Sequence, residues 1–219
     1  MQSEIRRAGQ ESARVRTFIE EARRAQIIKS TIDVLADLGF ARTSLAEIAR
    51  RAGISKGVIH YHFHGKRELI EEVIAQTFKQ EHDWTQTLLE KDVSASTKLK
   101  AYIDGNVVFI KTNPRYLKAL LEIFQNYRRD DGAPFFEGTD NEAATLDFLG
   151  AVLQQGQEAG EFRPFSTPAA SMAIRGAVEV MPMRRATDPN FDLDAYGAEL
   201  FELFWRAFRA DDAVLPEAT

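Results

Sequence analysis

The chain has 219 residues, no cysteine and a formal net charge of −5. This length can bury one large core or two small ones, and the missing thiols exclude disulfides, thiolate metal sites and cysteine nucleophiles. No run of about 18 apolar residues occurs and residues 1–16 are polar, so neither a membrane span nor a secretion signal is expected, and the cytoplasm is the expected location. The charge is uneven: residues 1–76 carry +3 and the rest −8, which suits a polyanionic partner at one end only.

Apolar residues recur at helical spacing almost throughout, and no alternating strand pattern stands out, so an all-α chain of about nine helices is predicted. Residues 1–16 (MQSEIRRAGQESARVR) read as a flexible arginine-bearing arm. Thr17 with Glu20 forms a potential capping box for a first helix running to Leu38, with Gly39 as its stop. Ser44 with Glu47 opens a short second helix through Ala52, and Ser55 caps a third from Lys56 to about Phe63. A long fourth helix runs from Lys66 toward Glu90. A fifth begins at Ser94 or Ser96 and ends at Asn113, and Pro114 sits at the first position of a sixth reaching about Arg129. Residues 130–140, with Gly132, Pro134 and Gly138, read as a loop that must place Phe135 and Phe136. A seventh helix covers about 141–158. An eighth starts at Thr167–Pro168 and is expected to kink or end at Pro182. A ninth runs from Asp192 or Asp194 to Ala210, before a frayed tail. The domain reading is an arm (1–16), a three-helix head (17–75) and a helical bundle (76–219).

The informative stretch is Thr43–Lys66, TSLAEIARRAGISKGVIHYHFHGK. Ala49 falls where two short helices cross, Gly53 can take the positive φ of the tight turn, and Ile48, Ala52, Ile54 and Ile59 are spaced to share a small core. Those requirements define a helix-turn-helix, whose second helix enters a major groove. A merely packed hairpin would meet them too. The outer face argues otherwise: Ser55, Lys56, Gly57, His60, Tyr61 and His62 crowd donors and an approachable backbone into two turns.

This segment resembles the TetR (tetracycline-repressor-like) family. Thr43, Ile48 (one place late), Ala49, Ala52, Gly53, Ile54, Ser55, Gly57, Ile59, His62, Phe63, Lys66 and Leu69 fit its pattern. The resemblance spans about residues 20–75, and the remaining helices match that family's ligand-binding and dimerisation domain in architecture only. It implies that Thr43 and Ser44 meet phosphate, that Lys56 and Gly57 open the recognition helix, that Tyr61 and His62 bond phosphate or base edges, and that Lys66 adds to a helix dipole's attraction for phosphate. His60 departs from the family's usual Tyr. With the shorter imidazole, that phosphate contact is lost, bridged by water or made pH-sensitive.

Other chemistries find little support. His60 and His62 point about 200° apart on a helix, Gly65 frays the turn that would align His60 with His64, and no carboxylate completes a metal set, so neither metal nor cofactor is expected. No nucleophile elbow, P-loop or dinucleotide fingerprint occurs, and no catalytic residue is assigned. Aromatics crowd the second half. Phe78, Trp84, Tyr102, Phe109, Tyr116, Phe124, Tyr127, Phe148 and Phe162 are mostly ordinary core by this pattern, and Trp84, Tyr102, Phe109, Tyr116, Phe124, Tyr127 and Phe148 are the candidates for lining a ligand pocket between helices. Asp104 and Glu122 would bias such a pocket toward a cation. The small-residue stripe Ala169, Ala170, Ala173, Gly176 and Ala177, with Leu200, Phe201, Leu203, Phe204 and Phe208, suggests a two-fold dimer surface and hence a palindromic operator. The expectation is a homodimeric DNA-binding regulator, usually a repressor in this family, released from duplex DNA by an unidentified small molecule. The alternatives are a helical DNA-binding protein without a sensor, and a helical scaffold or enzyme.

Overall fold

The computed structural model describes residues 2–128, 132 and 140–210, without the side chains of 2–16, 78 and 140–142. Among the described residues every regular element is helical: α1 (Gln2–Leu38), α2 (Leu45–Ala52), α3 (Lys56–His62), α4 (Lys66–Glu90), α5 (Ala95–Thr112), α6 (Pro114–Asn126), α7 (Asp140–Glu158), α8 (Thr167–Thr187) and α9 (Leu193–Phe208). None of the described helices is long and apolar enough to cross a membrane. The chain divides into two compact units, residues 1–75 and 76–219, and Phe135, Phe136 and the tail beyond Ala210 lie outside the described residues.

In the first unit, the helix ends follow local chemistry. Ser44 accepts the Glu47 N–H at 3.2 Å, but Glu47 turns to Arg50 rather than closing a full capping box. Ser55 caps α3 by accepting the Val58 N–H at 3.3 Å. Gly53 holds φ 67°, and its N–H reaches back to the α2 carbonyls. Ile48, Ala49, Ala52, Ile59 and Phe63 are buried together with Ile27, Val34 and Leu35 of α1, each large aliphatic side chain contributing roughly 1.5–3 kcal/mol on burial. The expected start at Thr17 is not observed: α1 is continuous from Gln2. The segment 2–16 has no proline and is rich in Ala, Arg, Glu and Gln, whose low helical cost lets the helix extend without a stop.

The second unit is organised around α5, which packs against α6, α7, α8 and α9. Leu99, Tyr102, Ile103, Val107 and Ile110 repeat at helical spacing and are buried. Glu161, in the turn after α7, caps α5 by accepting the Ala95 N–H at 2.8 Å and the Ser96 N–H at 3.2 Å. Arg163 N–H to the Phe208 carbonyl (2.8 Å) and Ala210 N–H to the Glu161 carbonyl (2.9 Å) clip the same turn to the end of α9. Pro182 does not end α8, which continues to Thr187. Val178 and Met181, buried just before it, anchor the helix where the proline removes a hydrogen bond.

Two glycines test these frames. At Gly53 an added Cβ meets nothing, so Gly53→Ala carries only the left-handed backbone cost, about 1 kcal/mol. At Gly156 it would lie 2.1 Å from the Phe162 ring and 2.9 Å from Ala95. Gly156→Ala is therefore expected to lower stability by about 1–3 kcal/mol, the larger loss of the two, in urea unfolding followed by circular dichroism.

Candidate nucleic-acid interface and ligand cavity

The head presents one polar edge. Ser55, Lys56, Gly57 and His60 are exposed, and Tyr61 is 74% exposed. The Tyr61 hydroxyl donates to Glu20 at 3.5 Å, and its ring meets the His62 ring edge-on at 4.9 Å. His62 is half-buried, with its backbone carbonyl accepting from Arg24 Nη1 at 2.6 Å. That arginine also pairs with Glu72 at 3.2 Å and lies over the Phe63 ring at 4.2 Å. It thereby ties α1 to the end of α3 and to α4. Gln26 donates to the Ala52 carbonyl at 2.8 Å, and Arg51 pairs with Asp37 at 2.8 Å. None of these long-range ties was legible as local spacing; an Arg or Gln on a helix carries no sign of what it will reach.

Two residues expected at phosphate are engaged within the chain. Thr43 is 3% exposed, and its hydroxyl donates to the Gly39 carbonyl at 2.8 Å. In this arrangement it closes the α1–α2 turn. Lys66 donates to the Phe40 carbonyl at 2.8 Å and lies 4.2 Å from the Phe40 ring centre, and burial pushes its pKa down. It fastens α4 to the same turn. Ser44 remains exposed, with its oxygen engaged as a cap. Among the described residues no three His, Cys, Asp or Glu side chains are grouped to hold a metal ion.

A cavity of about 370 Å³ opens in the second unit, lined from α4 and α5 by Gln80, Glu81, Trp84, Asn106 and Phe109 among others. Of the seven aromatics expected there, Trp84 and Phe109 line it. Tyr116 stands just behind, edge-on to Phe109 at 5.9 Å and hydrogen-bonded to Thr77. Tyr102 and Phe148 are core, 0% and 2% exposed; Tyr127 is buried as well, and Phe124 lies on the surface. Phe162 is core, and the Phe78 side chain is not among those described. Asp104 pairs with Lys100 at 2.5 Å, and neither it nor Glu122 lines the cavity.

Behind the cavity wall lies a polar cluster that sequence reasoning missed. Arg175 of α8 donates to Glu81 at 2.6 Å, to the Tyr102 hydroxyl at 3.2 Å and to Glu179 at 2.7 Å. Burial pushes the Tyr102 hydroxyl up to about 12, despite the arginine beside it. Burial opposes the Arg175 charge, but Tyr102, Glu81 and Glu179 outweigh it and raise its pKa. Of the expected dimer surface, Ala170, Leu200, Phe201 and Phe208 are buried within their own chain. Leu203 is 58% exposed, and Ala169, Ala173 and Gly176 are exposed too; Met172 and Met183, which that expectation did not include, are 66% and 54% exposed.

Residues 27–73 match the family model described as bacterial regulatory proteins, tetR family. A curated relative, the HTH-type transcriptional regulator BetI of Klebsiella pneumoniae (strain 342), is 33% identical over 105 residues, which are 47% of this chain and 54% of that protein. BetI 1 of Chromohalobacter salexigens is 32% identical over 104 residues, 47% of this chain and 52% of its own. The chain thus spans about half the length of the curated relatives it matches. Among solved structures, the fatty acid degradation regulator FadR of Bacillus halodurans superposes with a TM-score of 0.73 at 20% identity, over 84% of this chain and 94% of that one. NalD, the secondary repressor of the MexAB-OprM multidrug efflux pump in Pseudomonas aeruginosa, gives 0.72 at 20% identity, over 88% and 99%. These two likenesses concern the fold.

The placement of Lys66 yields a stability prediction. Lys66→Met, which removes a charged hydrogen bond and a cation–ring contact at a partly exposed site, is expected to destabilise the head by about 1 kcal/mol. An unchanged unfolding midpoint combined with weaker DNA binding would return this lysine to the phosphate-contact role.

Proposed function

We propose, from the premise that residues 27–73 make this chain a member of the TetR family, that it is a homodimeric transcriptional regulator whose α3 reads the major groove of a palindromic operator. The observation that carries the reading is the outward polar edge of α3, which the rest of the head leaves exposed. Lys56 and the α3 backbone at Gly57 would open the contact, with Ser55 at the cap. His60 and Tyr61 would face phosphate or base edges, and Ser44 a flanking phosphate. Regulators of this family bind DNA and small-molecule effectors, typically as dimers. The exposed apolar residues of α8 and α9, Met172, Met183 and Leu203, are candidates for the surface between copies. The setting is the cytoplasm, where the DNA is.

The cavity favours a sensor over a solid second domain. Helix α4 belongs to both units by sequence, with the division at residues 75 and 76. A ligand that prefers one position of α4 would shift the heads between a state that fits successive major grooves and one that does not. The size of the shift is bounded by its difference in affinity for the two states. Release of a repressor by ligand is the proposed direction.

The test needs no knowledge of the operator. Binding to a generic duplex at low salt, followed by fluorescence anisotropy, is expected to weaken for Lys56→Ala, with the slope of log K against log salt falling by about 1. Unchanged affinity and slope in that variant and in Tyr61→Phe would contradict the assignment of α3.

A further inference from the structure

We infer that the cavity of the second unit takes an organic monocation bearing N–H donors, a protonated amine or amidinium on an apolar or aromatic body, held on Glu81. The inference rests on residues 76–219 acting as the sensor and specifies what is sensed.

Among the described residues lining the cavity, Glu81 is the one ionisable side chain. Its hydrogen bonds among the described residues all go to Oε1, from Arg175 at 2.6 Å and from Thr145 at 3.3 Å. The second carboxylate oxygen is left for an incoming donor. Arg175 does not cancel this charge alone, because it also serves Glu179 at 2.7 Å, so two carboxylates share one guanidinium. Neither Arg175 nor Glu179 lines the cavity. The cations on the neighbouring helix face are engaged elsewhere, Lys100 with Asp104 and Lys111 with Asp194, both at 2.5 Å. An anion entering here would meet a carboxylate that Arg175, shared with Glu179, compensates only in part. A neutral body without a donor would strip water from that oxygen and leave it unpaired.

The other walls suit the body of such a cation. Trp84 and Phe109 offer rings against which a cation is attracted, and Gln80 and Asn106 add amides at the side. Trp84 stacks on buried Tyr102 with centroids 6.0 Å apart. It can do so because α5 has Gly105 beneath it: a Cβ there would lie 2.1 Å from the indole. Gly105 thus positions the aromatic wall, and any side chain at 105 must displace it. The volume, about 370 Å³, lies in the range of small-molecule sites.

The test is calorimetry on the full chain with three probes sharing one ring system: 2-naphthamidine, 2-naphthamide and 2-naphthoate. The amidine is expected to bind at least ten-fold tighter than the amide, and the naphthoate to show no heat of binding. Glu81→Gln, which keeps an oxygen for Arg175, should bring the amidine down to the amide's affinity, and Gly105→Ala should weaken both. Equal amidine and amide affinity in the unmodified chain, preference for naphthoate, no binding by any probe, or an amidine preference that survives Glu81→Gln would each overturn the inference. Anisotropy with duplex DNA on the same unliganded protein separates the two readings. DNA binding retained while the charge preference is absent sinks the ligand class alone, whereas loss of DNA binding in the unmodified chain sinks the regulator.

Discussion

The first unit depends on one constraint, the fixed crossing of α2 and α3 through the left-handed turn at Gly53. With φ at 67° this residue sends the chain back so that Ile48, Ala49 and Ile59 bury against α1. Arg24 then holds the far end of α3 through the His62 carbonyl, Glu72 and the Phe63 ring. The helix is pinned at both ends by groups that point inward. What remains outside on α3 is Lys56, Gly57, His60 and Tyr61, a polar, donor-bearing edge with one large ring left in solvent. With the α3 backbone fixed in advance, the ordering cost on meeting a partner falls on the side chains alone.

The second unit solves a different problem. Its core is apolar around α5, yet it buries most of a guanidinium at Arg175. A buried ion pair is weak evidence for stability, because desolvation offsets much of its attraction. Here its geometry links α4, α5 and α8 through Glu81, Tyr102 and Arg175, with one member of the cluster also on a cavity wall. A group that is both wall and joint is where occupancy of a cavity can alter helix packing.

Much of the fold was legible because helix ends have local signatures. Ser44, Gly53, Ser55 and Pro114 marked boundaries that the structure places within a residue or two, whereas the apolar face of α9, expected between copies, is largely buried in its own chain through Leu200, Phe201 and Phe208. The start of α1 was misread, since Thr17 and Glu20 make a plausible cap but nothing in 2–16 obliges a helix to stop. Core and cavity were not separable by composition. Tyr102 and Trp84 carry the same kind of ring, and the room that Gly105 leaves for the indole against α5 has no signature in spacing. Thr43 and Lys66 were assigned to phosphate on motif position. The partners they hold within the chain, the Gly39 and Phe40 carbonyls, lie in a turn whose shape no pairwise spacing encodes.

The absence of native cysteine permits the most direct test of the claim that α3 is the DNA-facing edge. Single-cysteine variants Lys56→Cys and Tyr61→Cys, with Glu199→Cys on α9 as reference, would be labelled with a maleimide with and without duplex DNA at low salt. The account predicts that DNA slows labelling strongly at 56 and 61 and leaves 199 near its free rate. Equal labelling rates at 56 and 61 with and without saturating DNA would contradict it.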